Sequence, residues 1–158
     1  ILMCAILDAN VTYEVFGEEK SPAGQKFRDW LESGSSALVM GGKLADELKH
    51  DRRFHEWSNQ AIQYGKLRLF DRREVEKLTA ELQSSDACKS DDAHVIALAQ
   101  ISGARLLFSN EPDLHKDFKS KHLIDNPRGK VYSTKDSKGF TNAHRTLLAD
   151  RSLCKASL

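Results

Sequence analysis

The chain is poor in cysteine and proline and has no long apolar run. Its three cysteines, Cys4, Cys88 and Cys154, are odd in number and far apart. That suggests neither a disulfide framework nor a zinc site, and it fits a reducing compartment. No stretch approaches the roughly 18 apolar residues that span a bilayer, and no signal peptide is recognisable. Met3 reads as a natural start behind Ile1 and Leu2. No GxGxxG follows the first apolar run and no GxxxxGK[ST] occurs, so dinucleotide and P-loop readings are weak. Repeats and low-complexity tracts are lacking too. A net charge of +1 gives no bulk electrostatic capture of nucleic acid. The expectation is a soluble, cytoplasmic, single-domain protein of 158 residues with no membrane partner.

What the chain does have is alternation. Met3-Cys4-Ala5-Ile6-Leu7 and Ala37-Leu38-Val39-Met40 are short apolar runs, as expected of strands buried on both faces. Arg105 to Phe108 reads as a further buried strand, and Leu67 to Phe70 and Lys130 to Ser133 are strand candidates. Helical patterns lie between them. Ser21-Pro22 opens one, with a capping hydroxyl and proline at the first helical position. A long one is expected from about Lys43 to Tyr64, and Asp71 caps another from Arg72 to Gln83. Further helices are expected from Leu114 to Leu123 and from Asn142 to Asp150, with a turn at Asn126-Pro127-Arg128-Gly129. Strands alternating with helices predict an α/β fold with a parallel sheet covered on both faces and wound by right-handed crossovers.

The stretch Ser90-Asp91-Asp92 through Gly103 and on to Glu111-Pro112-Asp113 reads as an acidic helix start, an apolar helix, a turn glycine, a buried strand and a second acidic cluster. Asp8 follows the first strand, and Glu47 lies near the start of the helix after the second. The carboxyl edge of an open α/β sheet is where ligands bind, and these acids converge on it. Clustered carboxylates raise one another's pKa unless a cation compensates them. Oxygen ligands alone suit Mg²⁺ or Mn²⁺ rather than zinc, and such ions promote displacement at phosphorus.

Each residue also has an ordinary structural reading. Asp8 is a reasonable turn residue. Asp91 and Asp92, like Glu111 and Asp113, stand where helix starts favour acids through capping and the macrodipole. Glu47 on a charged helix is an ordinary surface residue. His50, His55 and His94 read as surface or satisfied residues, because no spacing links them. The joint placement of the acids carries the argument.

Leu7-Asp8-Ala9-Asn10, Asp46-Glu47-Leu48, Asp92-Ala93 with Ala97-Leu98-Ala99, and Leu107-Phe108-Ser109-Asn110-Glu111-Pro112-Asp113 resemble the four motifs of PIN-domain ribonucleases, in order, over roughly Met3 to Tyr132. The resemblance implies a three-layer α/β/α domain, residues 3–133, with a five-stranded parallel sheet of order 3-2-1-4-5. It implies a Mg²⁺- or Mn²⁺-dependent endoribonuclease that cuts single-stranded RNA. Many such proteins are toxins of toxin–antitoxin pairs, so an antitoxin or other protein partner, and a homodimer, are among the partners it suggests. Carried over, Asp8, Glu47 and Asp92 are metal-binding and catalytic acids, with Asn10, Ser109 and Asp91 as supporting residues. The family usually has Asp where this chain has Glu111, with another acid two positions later. Either Glu111 or Asp113 is then the fourth acid.

Residues 134–158 form a basic, partly helical extension. From His115 onward the chain carries roughly six net positive charges, and the part before it is net negative by about five. Lys116, Lys119, Lys121, Arg128, Lys130, Lys135 and Lys138 either track an RNA backbone or form a solvated surface. A catalytically inactive PIN-like binding or scaffold module is the main alternative. A phospho-accepting receiver is disfavoured because Asp8 stands alone after the first strand. Phosphatases with DxD there are disfavoured because position 10 is asparagine.

Overall fold

The computed structural model describes residues 3–156, and the reading of Ile1 and Leu2 lies outside them. The five strands are β1 (Met3–Leu7), β2 (Ser36–Met40), β3 (Leu67–Leu69), β4 (Leu106–Phe108) and β5 (Lys130–Tyr132). They form one parallel sheet in the order β3-β2-β1-β4-β5, which is the expected order. β2 and β4 are buried along their whole length and β1 along nearly all of it. Burial on both faces explains why these strands read as continuous apolar runs. β1 pairs with β2 on one side and β4 on the other, so the winding reverses between β1 and β4. That reversal opens a crevice at their carboxyl ends.

Eight α-helices connect the described strands: α1 (Thr12–Phe16), α2 (Pro22–Leu31), α3 (Gly42–Lys49), α4 (Arg52–Ala61), α5 (Arg72–Ser84), α6 (Ala93–Ser102), α7 (Pro112–Lys119) and α8 (Asn142–Ala149). The caps at Ser21 and Asp71 form as expected, each side chain accepting backbone N–H bonds from the first turn. The single long helix expected from Lys43 to Tyr64 is two helices. Asp51 accepts from the Phe54 N–H at 2.9 Å and starts α4 afresh, which is a cap placed inside what reads as one charged helix. α6 is buried on almost every side, and Gly103, at φ 78°, ends it in the left-handed conformation that glycine favours.

The segment after β5 folds back onto the domain. α8 caps itself through a reciprocal Thr141–His144 pair, and His144 Nε2 lies 2.9 Å from the Val131 carbonyl. Phe27, Phe108, Tyr132 and Phe140 form one ring cluster beneath it, and the Tyr132 hydroxyl donates to the Ala23 carbonyl at 2.7 Å. The tail then runs beside the end of α6, where the Lys155 N–H donates to the Ser102 carbonyl. This return corrects the cysteine reading: Cys4 and Cys154 form a disulfide, with Cα atoms 5.7 Å apart, and Cys88 is the free thiol. Their separation of 150 residues hides the pairing from any spacing rule. No helix among the described residues is long and apolar enough to cross a membrane.

Candidate active site

β1 delivers Asp8 to the crevice. The Asp8 N–H continues the ladder to the Phe108 carbonyl at 2.9 Å, so the residue after β1 lies beside Ser109, the residue after β4. The Ser109 hydroxyl donates to Asp8 Oδ2 at 2.7 Å and accepts from the Glu111 N–H at 3.0 Å. Asp8 is 7% exposed. Burial pushes its carboxyl above the ordinary range. The Ser109 hydroxyl opposes that shift, and Asp92 and Glu47 add to it by repulsion. Ionising a buried acid whose charged neighbours are other acids is costly, so a turn role alone explains Asp8 poorly.

Asp92 and Glu111 are the N-cap residues of α6 and α7, and neither side chain caps its helix. Ser21, Asp51, Asp71 and Thr141 occupy the same position elsewhere and all cap. The two uncommitted carboxyl groups meet each other instead. Their contact is the largest cause of a Glu111 pKa pushed up to about 7, followed by burial and by repulsion from Asp92, Asp8 and Asp113. Two carboxylates in contact must share a proton or a cation. Capping therefore accounts for neither residue.

Glu47 arrives from α3. Its Oε1 lies 2.9 Å from Nε2 of His94, which is buried in the first turn of α6. His94 is thus the satisfied residue expected, and the partner that satisfies it is a candidate ligand. His50 and His55 are exposed.

A second buried group holds the loop that carries Asp92. Asp117 of α7, 2% exposed, accepts from the Lys89 N–H at 2.8 Å, the Ser90 N–H at 2.9 Å and the Ser90 hydroxyl at 2.7 Å. The Ser90 oxygen in turn accepts from the Asp92 N–H at 3.3 Å. On the other side, His115 Nε2 lies 2.6 Å from the Ser109 carbonyl and braces the turn before Glu111. Sequence reading passes over Ser90, Asp117 and His115. Only Asp117 carries a signal, polarity at a position that the helical pattern of α7 places inward.

Asp8, Glu47, Asp92 and Glu111 thus come together at one edge of the sheet. Asp113, in the first turn of α7, is exposed and reaches the group only as an added repulsion on Glu111. Asp91 is exposed beside Asp92 and lines a cavity of about 200 Å³ with Lys43, Glu76 and His94. Asn10 is exposed, and its backbone N–H helps keep Asp8 ionised. Lys116, Lys119, Lys121, Arg128, Lys130, Lys135 and Lys138 are all exposed. Lys135 follows Thr134, whose N–H and hydroxyl donate to Asn110 Oδ1. Arg128 and Lys130 stand at the opposite edge, at the start of β5.

Among the described residues no three His, Cys, Asp or Glu side chains already stand arranged to hold a metal ion. The donor chemistry nevertheless fits a hard divalent cation. The groups are oxygen donors, and the strongest influences on Asp8 and Glu111 are burial, hydrogen bonds and neighbouring acids. Compared with protein-family models, with curated proteins and with solved structures, the chain matches none.

Proposed function

We propose that this protein is a Mg²⁺- or Mn²⁺-dependent endoribonuclease of the PIN type that hydrolyses phosphodiester bonds in single-stranded RNA. The observation that carries the reading is the contact between Asp92 and Glu111, two helix-start acids that forgo capping to face each other beside buried Asp8. Asp8, Asp92 and Glu111, with Glu47, would hold the cation. When bound, the cation supplies water activation and stabilises the charge that develops on the phosphoryl group. Asp8 is held in place by Ser109, and Glu47 by His94. Glu111, its pKa pushed up by the Asp92 carboxyl beside it, would be one of the oxygen donors that hold the cation. In the reaction water adds to phosphorus, the bond to the leaving ribose oxygen breaks, and that oxygen takes up a proton.

The test is cleavage of a single-stranded RNA with Mn²⁺ or Mg²⁺. Activity is expected to fall by at least about 100-fold in Asp8→Asn and Asp92→Asn with the thermal melt retained, and equal cleavage by those variants overturns the assignment. A non-catalytic PIN-like module is the second reading. The ties of Asp8 to Ser109 and Glu47 to His94 favour it, since each already commits one carboxylate oxygen. Wild-type protein that binds RNA but leaves it intact with either ion decides for that reading. The disulfide between Cys4 and Cys154 removes the cysteine argument for a cytoplasmic location, and an antitoxin or a second copy of the chain is the partner class suggested by the resemblance.

A further inference from the structure

We infer that His94 is the positioning residue of Glu47, holding that carboxylate toward Asp8 so that its second oxygen is free for a divalent cation. The inference rests on the metal-dependent reading above and extends it to a residue outside the acidic set. α6 is apolar nearly throughout, and a histidine buried in it must find a hydrogen-bond partner. His94 finds it on another helix, 47 residues away in sequence, at 2.9 Å. The carboxylate can only accept, so Nε2–H donates to Oε1.

The exposure of the two side chains is uneven: 4% for His94 against 36% for Glu47. The ring is fixed by packing, and the glutamate is the member that needs fixing. A half-exposed helical glutamate otherwise samples several rotamers, most of them turned to solvent. The bond to His94, in the first turn of the helix that Asp92 starts, fixes the Glu47 carboxylate beside that acid's helix, and its weak repulsion of Asp8 agrees with that placement. Partners of this kind, which orient a metal-binding side chain without touching the metal, typically change metal affinity by about 10- to 100-fold when removed.

The experiment measures Mn²⁺ affinity of the full chain by electron paramagnetic resonance, with a thermal melt as the control on folding. His94→Leu removes the donor at similar volume, His94→Ala is a second donor-free variant, and His94→Gln restores an N–H at the side-chain tip. The expected result is Mn²⁺ binding at least about 10-fold weaker in whichever donor-free variant melts cooperatively, and recovery in His94→Gln. Adding Glu47→Gln to the donor-free variant is expected to weaken binding no further, because His94 acts through Glu47. A donor-free variant that binds Mn²⁺ like wild type but melts lower overturns the inference, as does a loss that adds to that of Glu47→Gln. Wild-type protein that fails to bind Mn²⁺ overturns the metal-dependent reading and this inference together.

Discussion

Glu111 carries the clearest consequence at the scale of single residues. Its carboxyl titrates near 7 in the folded chain, against about 4.3 when unfolded, so the folded state holds the proton more tightly. A raised acid contributes stability that is present below the unfolded value and lost as pH rises through the folded one. Metal-free protein in EDTA is therefore expected to melt progressively lower between about pH 4.5 and 7, with Asp8 adding in the same direction. Glu111→Gln should flatten that slope, and the same slope in the variant would show that other groups cause it. Asp117 makes a separate prediction. Asp117→Ala strands two N–H groups and a hydroxyl, and is expected to cost about 2–4 kcal/mol in urea unfolding with an unchanged m-value. Asp8 and Asp92 were legible in the sequence because each stands at the end of a strand or the start of a helix. That Glu111 and not Asp113 meets Asp92 was not, since it depends on which side chain turns inward. His94 and Asp117 were hidden because their partners lie 47 and 27 residues away.

At the scale of elements, the acids are brought together by the end of β1, the starts of α6 and α7 and the last turn of α3, where Glu47 lies instead of near its helix start as expected. β1 and β4 were readable because buried parallel strands are continuous apolar runs. The break between α3 and α4 was missed because Asp51 sits among other charged residues, where a cap has no contrast. α2 packs so closely on the chain after Asp8 that a Cβ on Gly24 would fall 1.8 Å from the Glu14 carbonyl oxygen. Gly24→Ala must push α1 and α2 apart, and is expected to cost about 1–3 kcal/mol of stability. Thermal unfolding checks this, and a neutral substitution would show that the helices part freely.

For the whole molecule, the Cys4–Cys154 disulfide closes nearly the full chain and ties the tail to the amino end of β1. Closing so long a loop is worth up to about 4–5 kcal/mol through the unfolded state. Cys4 lies four residues before Asp8 on an extended strand, roughly 13 Å away. Cys154→Ser is therefore expected to lower the melting temperature while leaving Mn²⁺ affinity unchanged, and weakened binding would show that the tail reaches the site. The parallel sheet followed from alternation and its order from the resemblance in the motifs, whereas the return of the tail followed from neither, because no local pattern encodes a contact across the whole chain. The central claim is that the gathered acids form a metal-dependent nuclease site. Its most direct test is cleavage of a labelled single-stranded RNA by wild-type protein and by Asp92→Asn, with Mn²⁺ and with EDTA. Cleavage is expected from the wild type with Mn²⁺ alone, and none from the folded variant under either condition. Intact RNA with wild type and Mn²⁺, or equal cleavage by the variant, would contradict it.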